Sequence, residues 1–252
     1  MKHVFPSTAL PAVLAAFGLA AAAFAPVAAH AQNGTETGAS VSHHQSSGPA
    51  HSARDRVRDS ARIIEQMKQQ DPQLASLLAR AKGVFIIPHY GKGAFIVGGQ
   101  GGGGVVLTKR DGTWSDPAFF SIGGGSIGAQ AGGEGGSVVM LLMTRNAVDK
   151  FANSNNTWAL NGNAGLTVAT WSGKAQTETG NGDVIVWTNT NGLYGGLTAS
   201  VTDITPDRKM DHAYYGRSVD ARQILEGGSL SSALSAQSEP LRNALSMRVA
   251  SK

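Results

Sequence analysis

The sequence contains no cysteine. Disulfides, thiol nucleophiles, cysteine metal sites and lipid attachment through an acylated cysteine are thereby excluded. Aromatic residues make up 6% of the 252 residues, too few for the two girdles of a transmembrane barrel. Past residue 31 no apolar run approaches the ~20 residues that a membrane-spanning helix needs. Charge is also sparse, at 15% of residues with a net of +4. A balance that small does not point to nucleic acid, and it mildly favours anionic surfaces such as phospholipid headgroups. Carboxylates occur in no paired run that suits glycosidase chemistry. His43, His44, His51, His89 and His212 are scattered, without metal-ligand spacing. Neither a cofactor nor a catalytic residue is expected, and the chain does not read as an enzyme.

What is abundant is glycine, 33 residues of 252, against a usual ~7%. No G-x-y period exists, which excludes collagen. The glycines concentrate between Lys82 and Gly136, where they separate short β-branched runs at Val84–Ile87, Phe95–Val97 and Val105–Leu107. Such runs, bounded by Gly, Pro and Asp-Gly, predict strands joined by tight turns. The glycines mark bends or close approaches of backbone. The segments GVFIIP, GKGAFIVGGQGGGGVVLTKRDGTWSDPAFF, GGGSIGAQAGG and NTNGLYGGLTAS, in that order, resemble the SYLF domain. The resemblance runs from about Arg54 to Gly227. It implies a phospholipid-binding domain, with actin binding in some eukaryotic members, and no catalytic residues.

Residues 1–31 read as a secretory signal peptide: Lys2 and His3, an apolar core, then Ala29-His30-Ala31 as the cleavage site. The expected mature protein is periplasmic, extracellular or otherwise in the cell envelope, and its net charge drops from +4 to +3 when Lys2 leaves. Residues 32–51 are polar and read as a disordered linker. From Ser52 to Gln70 a helix is predicted, with Ala53, Val57, Ser60, Ala61, Ile63, Ile64 and Met67 on one arc. Arg54, Arg58 and Arg62 line up beside that arc at i, i+4 and i+8. Two readings stay open. The helix lies on a membrane with its cations at phosphate level, or it packs on its own domain and the acids Asp55, Asp59 and Glu65 pair with the arginines.

Asp71-Pro72 starts a second helix with Leu74, Leu77, Leu78 and Ala81 inward, closing at Gly83. Lys82 and Lys92 bracket the first strand, with His89 and Tyr90 at its turn. Together they form a second candidate headgroup contact. Further strands are predicted at Gly93–Gly98, Gly104–Arg110, Ala118–Ile122, Ser126–Ala131, Ser137–Met143, Asn161–Ala169, Asp183–Thr190 and Leu193–Val201. Asp111-Gly112 and Asn191-Gly192 are hairpin signals. A short helix is expected at Asn146–Ala152 with Asn146 as cap, and a helical turn at Val219–Leu225. Residues 229–252 form a tail, helical or frayed. Trp171 and Trp187 are candidate core or rim anchors.

Gly124-Gly125-Ser126-Ile127-Gly128 matches a nucleophile elbow, but AQAGGEGG after it cannot supply the required helix. Gly98–Gly104 lacks the Gly-Lys-Ser/Thr ending of a phosphate loop and leads into a strand; its amides form at most an anion nest. The expected fold is one α+β domain over residues 52–228: an antiparallel, strongly bent, glycine-rich sheet, sandwich- or barrel-like, with flanking amphipathic helices. The expected function is non-enzymatic binding of anionic phospholipid through Arg54, Arg58, Arg62, Lys82 and Lys92. The alternative is a glycine-rich interaction protein of the envelope that binds a protein partner or itself.

Overall fold

A computed structural model describes residues 48–92, 100–124, 136–160, 165–171, 182–189, 203–227 and 232–246. Residues 1–47 and the segments 93–99, 125–135 and 190–202 lie outside them. With them go the predicted strands at Gly93–Gly98, Ser126–Ala131 and Leu193–Val201, most of the elbow match, and the Asn191-Gly192 turn.

Among the described residues the order is α1 (Pro49–Gln70), α2 (Pro72–Arg80), β1 (Gly83–Lys92), β2 (Gln100–Arg110), β3 (Thr113–Trp114), β4 (Ala118–Gly124), β5 (Gly136–Leu142), α3 (Arg145–Ala152), β6 (Val168–Thr170), β7 (Val184–Thr188), β8 (Asp203–Pro206), α4 (Arg208–Tyr215), α5 (Ala221–Glu226) and α6 (Ser232–Leu245). The strands form one curled, half-barrel sheet in the order β6-β7-β5-β1-β2-β4-β8, with β3 hairpinned onto β2. Every described pairing is antiparallel except β6 with β7, which is parallel.

Local chemistry explains most of the boundaries. Asp71 caps α2 by accepting from the Gln73 amide at 3.2 Å, and its second carboxylate oxygen accepts from the Trp171 indole N–H. The predicted Asp-Gly turn is present, with φ of 49° at Asp111 and 80° at Gly112, the signs that a type I′ hairpin requires. α1 begins at Pro49 rather than Ser52, behind Gly48. Proline suits a first helical turn, whose amides have no intrahelical acceptor. The cap of α3 is Thr144, which accepts from Ala147 N, rather than Asn146. Asp220 and Gln223 close a reciprocal capping box on α5.

The sheet is buried on both faces. Val84 to Ile87 and Val138 to Leu142 are fully buried, so no polar alternation marks these strands. On one face Phe85, Phe120, Phe151 of α3 and Trp158 stack edge to face, with centroids 5.0–6.3 Å apart. The opposite face is covered by α1, with α4 and α6 packed against α1. The glycines of β2 permit the tight curl. A Cβ on Gly102 would lie 2.3 Å from the His89 carbonyl oxygen, and one on Gly104 would lie 2.3 Å from that of Ile86. Residues 101–104 are thus strand, paired with Gly123, Ile122, Ser121 and Phe120 of β4. They are not the loop that an anion nest would need.

Two expectations are corrected in β1. His89 and Tyr90 belong to the strand rather than to a turn, and Tyr90 is buried. A register shift between Ile87 and Tyr90 bends the strand there. The ring of Tyr90 is taken inward and its hydroxyl pKa is raised by desolvation. Of the two alternatives for the C-terminal segment, the helix is present, and in α6 Leu241, Ala244 and Leu245 are buried.

Candidate binding surface on the helical face

The surface is built from α1 outward. Ala53, Val57, Ser60, Ile64 and Met67 are buried and dock the helix. One arginine goes inward with them. The Arg56 guanidinium lies 6.0 Å over the Phe119 ring and against Gly103, where a Cβ would come within 2.4 Å of it. Burial lowers its pKa, and Asp207 opposes that shift across 3.6 Å, a separation for charge attraction rather than a hydrogen bond. Asp207 also caps α4 by accepting from Met210 N at 3.1 Å. Arg56 therefore ties α1 to the start of α4 and to the sheet beneath.

Arg54, Arg58 and Arg62 are all exposed on α1, as the spacing predicts. Two of them are occupied. Arg58 pairs with Asp55 at 2.5 Å and Arg62 with Asp59 at 2.8 Å. His51 also reaches Asp55 at 2.7 Å, and His89 reaches Asp59 at 3.2 Å. Among the described residues Arg54 has no ion pair. Lys82 is exposed and leads into β1. Lys92 ends that strand, opposite Gln100. Ten residues of strand at about 3.3 Å each put some 30 Å between the two ends, so Lys82 and Lys92 do not form one cluster.

Other cations serve as helix caps. Lys109 donates to the Ala79 carbonyl at the end of α2 at 3.0 Å, and Arg110 donates to the Glu226 carbonyl at the end of α5 at 2.9 Å. Lys68 donates to the Ala244 carbonyl of α6 at 2.7 Å. Each places positive charge on the negative end of a helix dipole. Lys68 also edges an open groove of about 720 Å³ between α1 and α6, with Arg62, Gln66, Gln69 and Asn243.

Beneath the surface lies a buried polar system that the sequence did not reveal. Asp116, 1% exposed, accepts from Arg242 at 2.6 Å and from Ser238 at 2.9 Å, anchoring α6 to the chain that leads into β4. Asp211 of α4 is buried and accepts from Phe119 N at 2.9 Å. Desolvation, aided by the Asp207 charge and opposed by that hydrogen bond, pushes its pKa up to about 7. Tyr215 donates to the Pro117 carbonyl at 2.7 Å. The sequence reading does not include α4, although Asp207 before it and Gly216 after it, at φ 68°, are an N-cap and a left-handed C-cap.

With this geometry in view, the class is a one-sheet α+β fold with charged helices on its surface. The family described as Ysc84, Las17-binding protein actin regulator, matches residues 123–248, half of the chain. The chain belongs to this family, the SYLF family. It is 30% identical over 157 residues to LAS seventeen-binding protein 3 of Saccharomyces cerevisiae, covering 60% of this chain and 34% of that protein. It is 31% identical over 160 residues to SH3 domain-containing YSC84-like protein 1 of Bos taurus, covering 61% of this chain and 46% of that protein. The chain thus spans between a third and a half of these relatives.

Proposed function

We propose that this protein is a non-enzymatic module that binds anionic phospholipid at a membrane surface, and that it does so after export and cleavage near Ala31. The observation that carries the reading is the outward row Arg54, Arg58 and Arg62 on a helix whose apolar side is docked on the sheet. A helix so docked cannot bury its apolar face in lipid, so attachment is electrostatic and peripheral. Each near-surface cation contributes about 1 kcal/mol toward an anionic leaflet. Lys82 immediately precedes β1 and Lys92 ends it, so the two lie at opposite ends of the strand. The test is co-sedimentation of the purified protein with phosphatidylserine-containing vesicles and with phosphatidylcholine vesicles. Binding should be selective for the anionic vesicles and weaken as salt shortens the screening length. Equal binding to both vesicle types, or to neither, refutes the reading. The export part is tested separately by the mass of the exported protein, which an intact N-terminus would refute.

A second reading is favoured by the relatives' names. LAS seventeen-binding protein 3 is named for a protein partner, and a chain of the same family can carry a protein-binding surface instead. Failure to bind any vesicle, together with saturable capture of a protein from the same envelope, would decide for it.

A further inference from the structure

We infer that the outer face of α4, continued by Arg217, is a docking surface for an anionic lipid headgroup layer, and that it carries more of the contact than the α1 arginines. The inference rests on the phospholipid reading above and names the surface that performs it. The exposed residues of α4 are Arg208, Lys209 and His212. At 100° per residue they fall within an arc of about 100°. Gly216 then turns the chain in the left-handed conformation, and exposed Arg217 follows.

No acid shares this face. Asp211 points inward and accepts from Phe119 N, and Asp207 caps the helix and faces Arg56. The nearest exposed acids in sequence, Asp203 and Asp220, lie on β8 and at the start of α5. Among the described residues Lys209, His212 and Arg217 take part in no ion pair. Arg208 donates to the Asn155 carbonyl at 2.7 Å, which leaves its charge uncancelled.

The shape of the face selects the occupant. Its cations stand on the convex outer side of a helix, so they match a layer of phosphates better than a free one. Protein interfaces are anchored by buried aromatic and apolar groups. On α4 those groups, Tyr214 and Tyr215, are turned into the core. An outward face that carries Arg208, Lys209 and Arg217 and no acid fits a fluid anionic surface whose lipids can gather beneath it.

The test compares vesicle binding by the full chain with that of a Lys209→Gln, Arg217→Gln double variant. A Lys209→Gln, Arg217→Gln, Arg208→Gln triple variant adds the residue that holds Asn155. Near-surface cations at about 1 kcal/mol each predict a loss of more than about tenfold for the double variant on phosphatidylserine-containing vesicles. An Arg58→Gln, Arg62→Gln variant should lose less. Thermal unfolding of the double variant should match that of the parent. If the parent binds no anionic vesicle, the phospholipid reading fails. If the parent binds and the double variant binds as tightly, the reading stands and the α4 assignment is overturned. Displacement by inorganic phosphate as effective as displacement by competing vesicles would overturn the headgroup layer in favour of free phosphate. Preferential binding of a polyglutamate peptide over vesicles would overturn it in favour of an acidic protein.

Discussion

α1 and α4 both turn arginines to solvent, and they differ in where they put their acids. On α1, Asp55 and Asp59 face outward and hold Arg58 and Arg62. On α4, Asp211 faces inward and Asp207 is spent on the cap and on Arg56. Counting charges along each helix does not separate the two cases. Burying an acid costs desolvation, which is why Asp211 titrates near 7, but it clears the outer face of countercharge. Leaving acids outside costs almost nothing, because exposed ion pairs are worth about 0–1 kcal/mol, yet it cancels much of the field that an anionic surface would feel.

The largest expected effect breaks the buried half of this contrast. Asp211→Asn keeps an acceptor for Phe119 N and removes the buried charge. The native carboxyl titrates near 7, above its usual 3.8. The folded state therefore holds the proton more tightly than the unfolded chain, and wild-type stability falls as pH rises from about 4 to 7 on this account. The variant should be as stable as the parent at pH 4. By pH 8 it should be more stable, by up to about 4 kcal/mol. Urea denaturation across that range measures the widening difference, and a constant difference would remove the buried-acid explanation.

Arg56→Ala comes next. It takes away the guanidinium over Phe119 and the countercharge to Asp207, so α1 and α4 lose their shared strap. A destabilisation of about 1–2 kcal/mol is expected in the same denaturation experiment. Asp55→Asn with Asp59→Asn would sharpen the contrast from the other side by making the α1 face as free of acid as that of α4. Anionic vesicle binding should rise by about tenfold, with most of the gain abolished by high salt. No gain would mean that α1 does not face the membrane. The smallest effect is on folding: Arg62→Gln, which breaks an exposed pair with Asp59, should change stability by no more than about 0.5 kcal/mol.

Elements whose signals are local are legible in the sequence. Asp71-Pro72 announces α2, Asp111-Gly112 the β2–β3 turn, and the apolar run from Ser137 the buried strand β5. The period of α1 marks its buried stripe and the exposure of Arg54, Arg58 and Arg62. Helix α4 has only eight residues, and its inward side chains are Asp211, Tyr214 and Tyr215. A hydrophobic period cannot be seen where two tyrosines and an acid stand in for aliphatics. The turn reading of His89-Tyr90 fails for a related reason, since a basic-aromatic pair looks like a loop tip until a bulge takes the tyrosine inside.

By itself the sequence determined the class of fold, the family resemblance and the helix carrying the first cationic row, because capping, turn chemistry and periodicity act over a few residues. Only the tertiary structure decided which charges are free. Asp116 meets Arg242 from 126 residues away, and Asp211 meets the amide of Phe119 from 92. Partners that distant are chosen by packing across the sheet, and no local pattern records them.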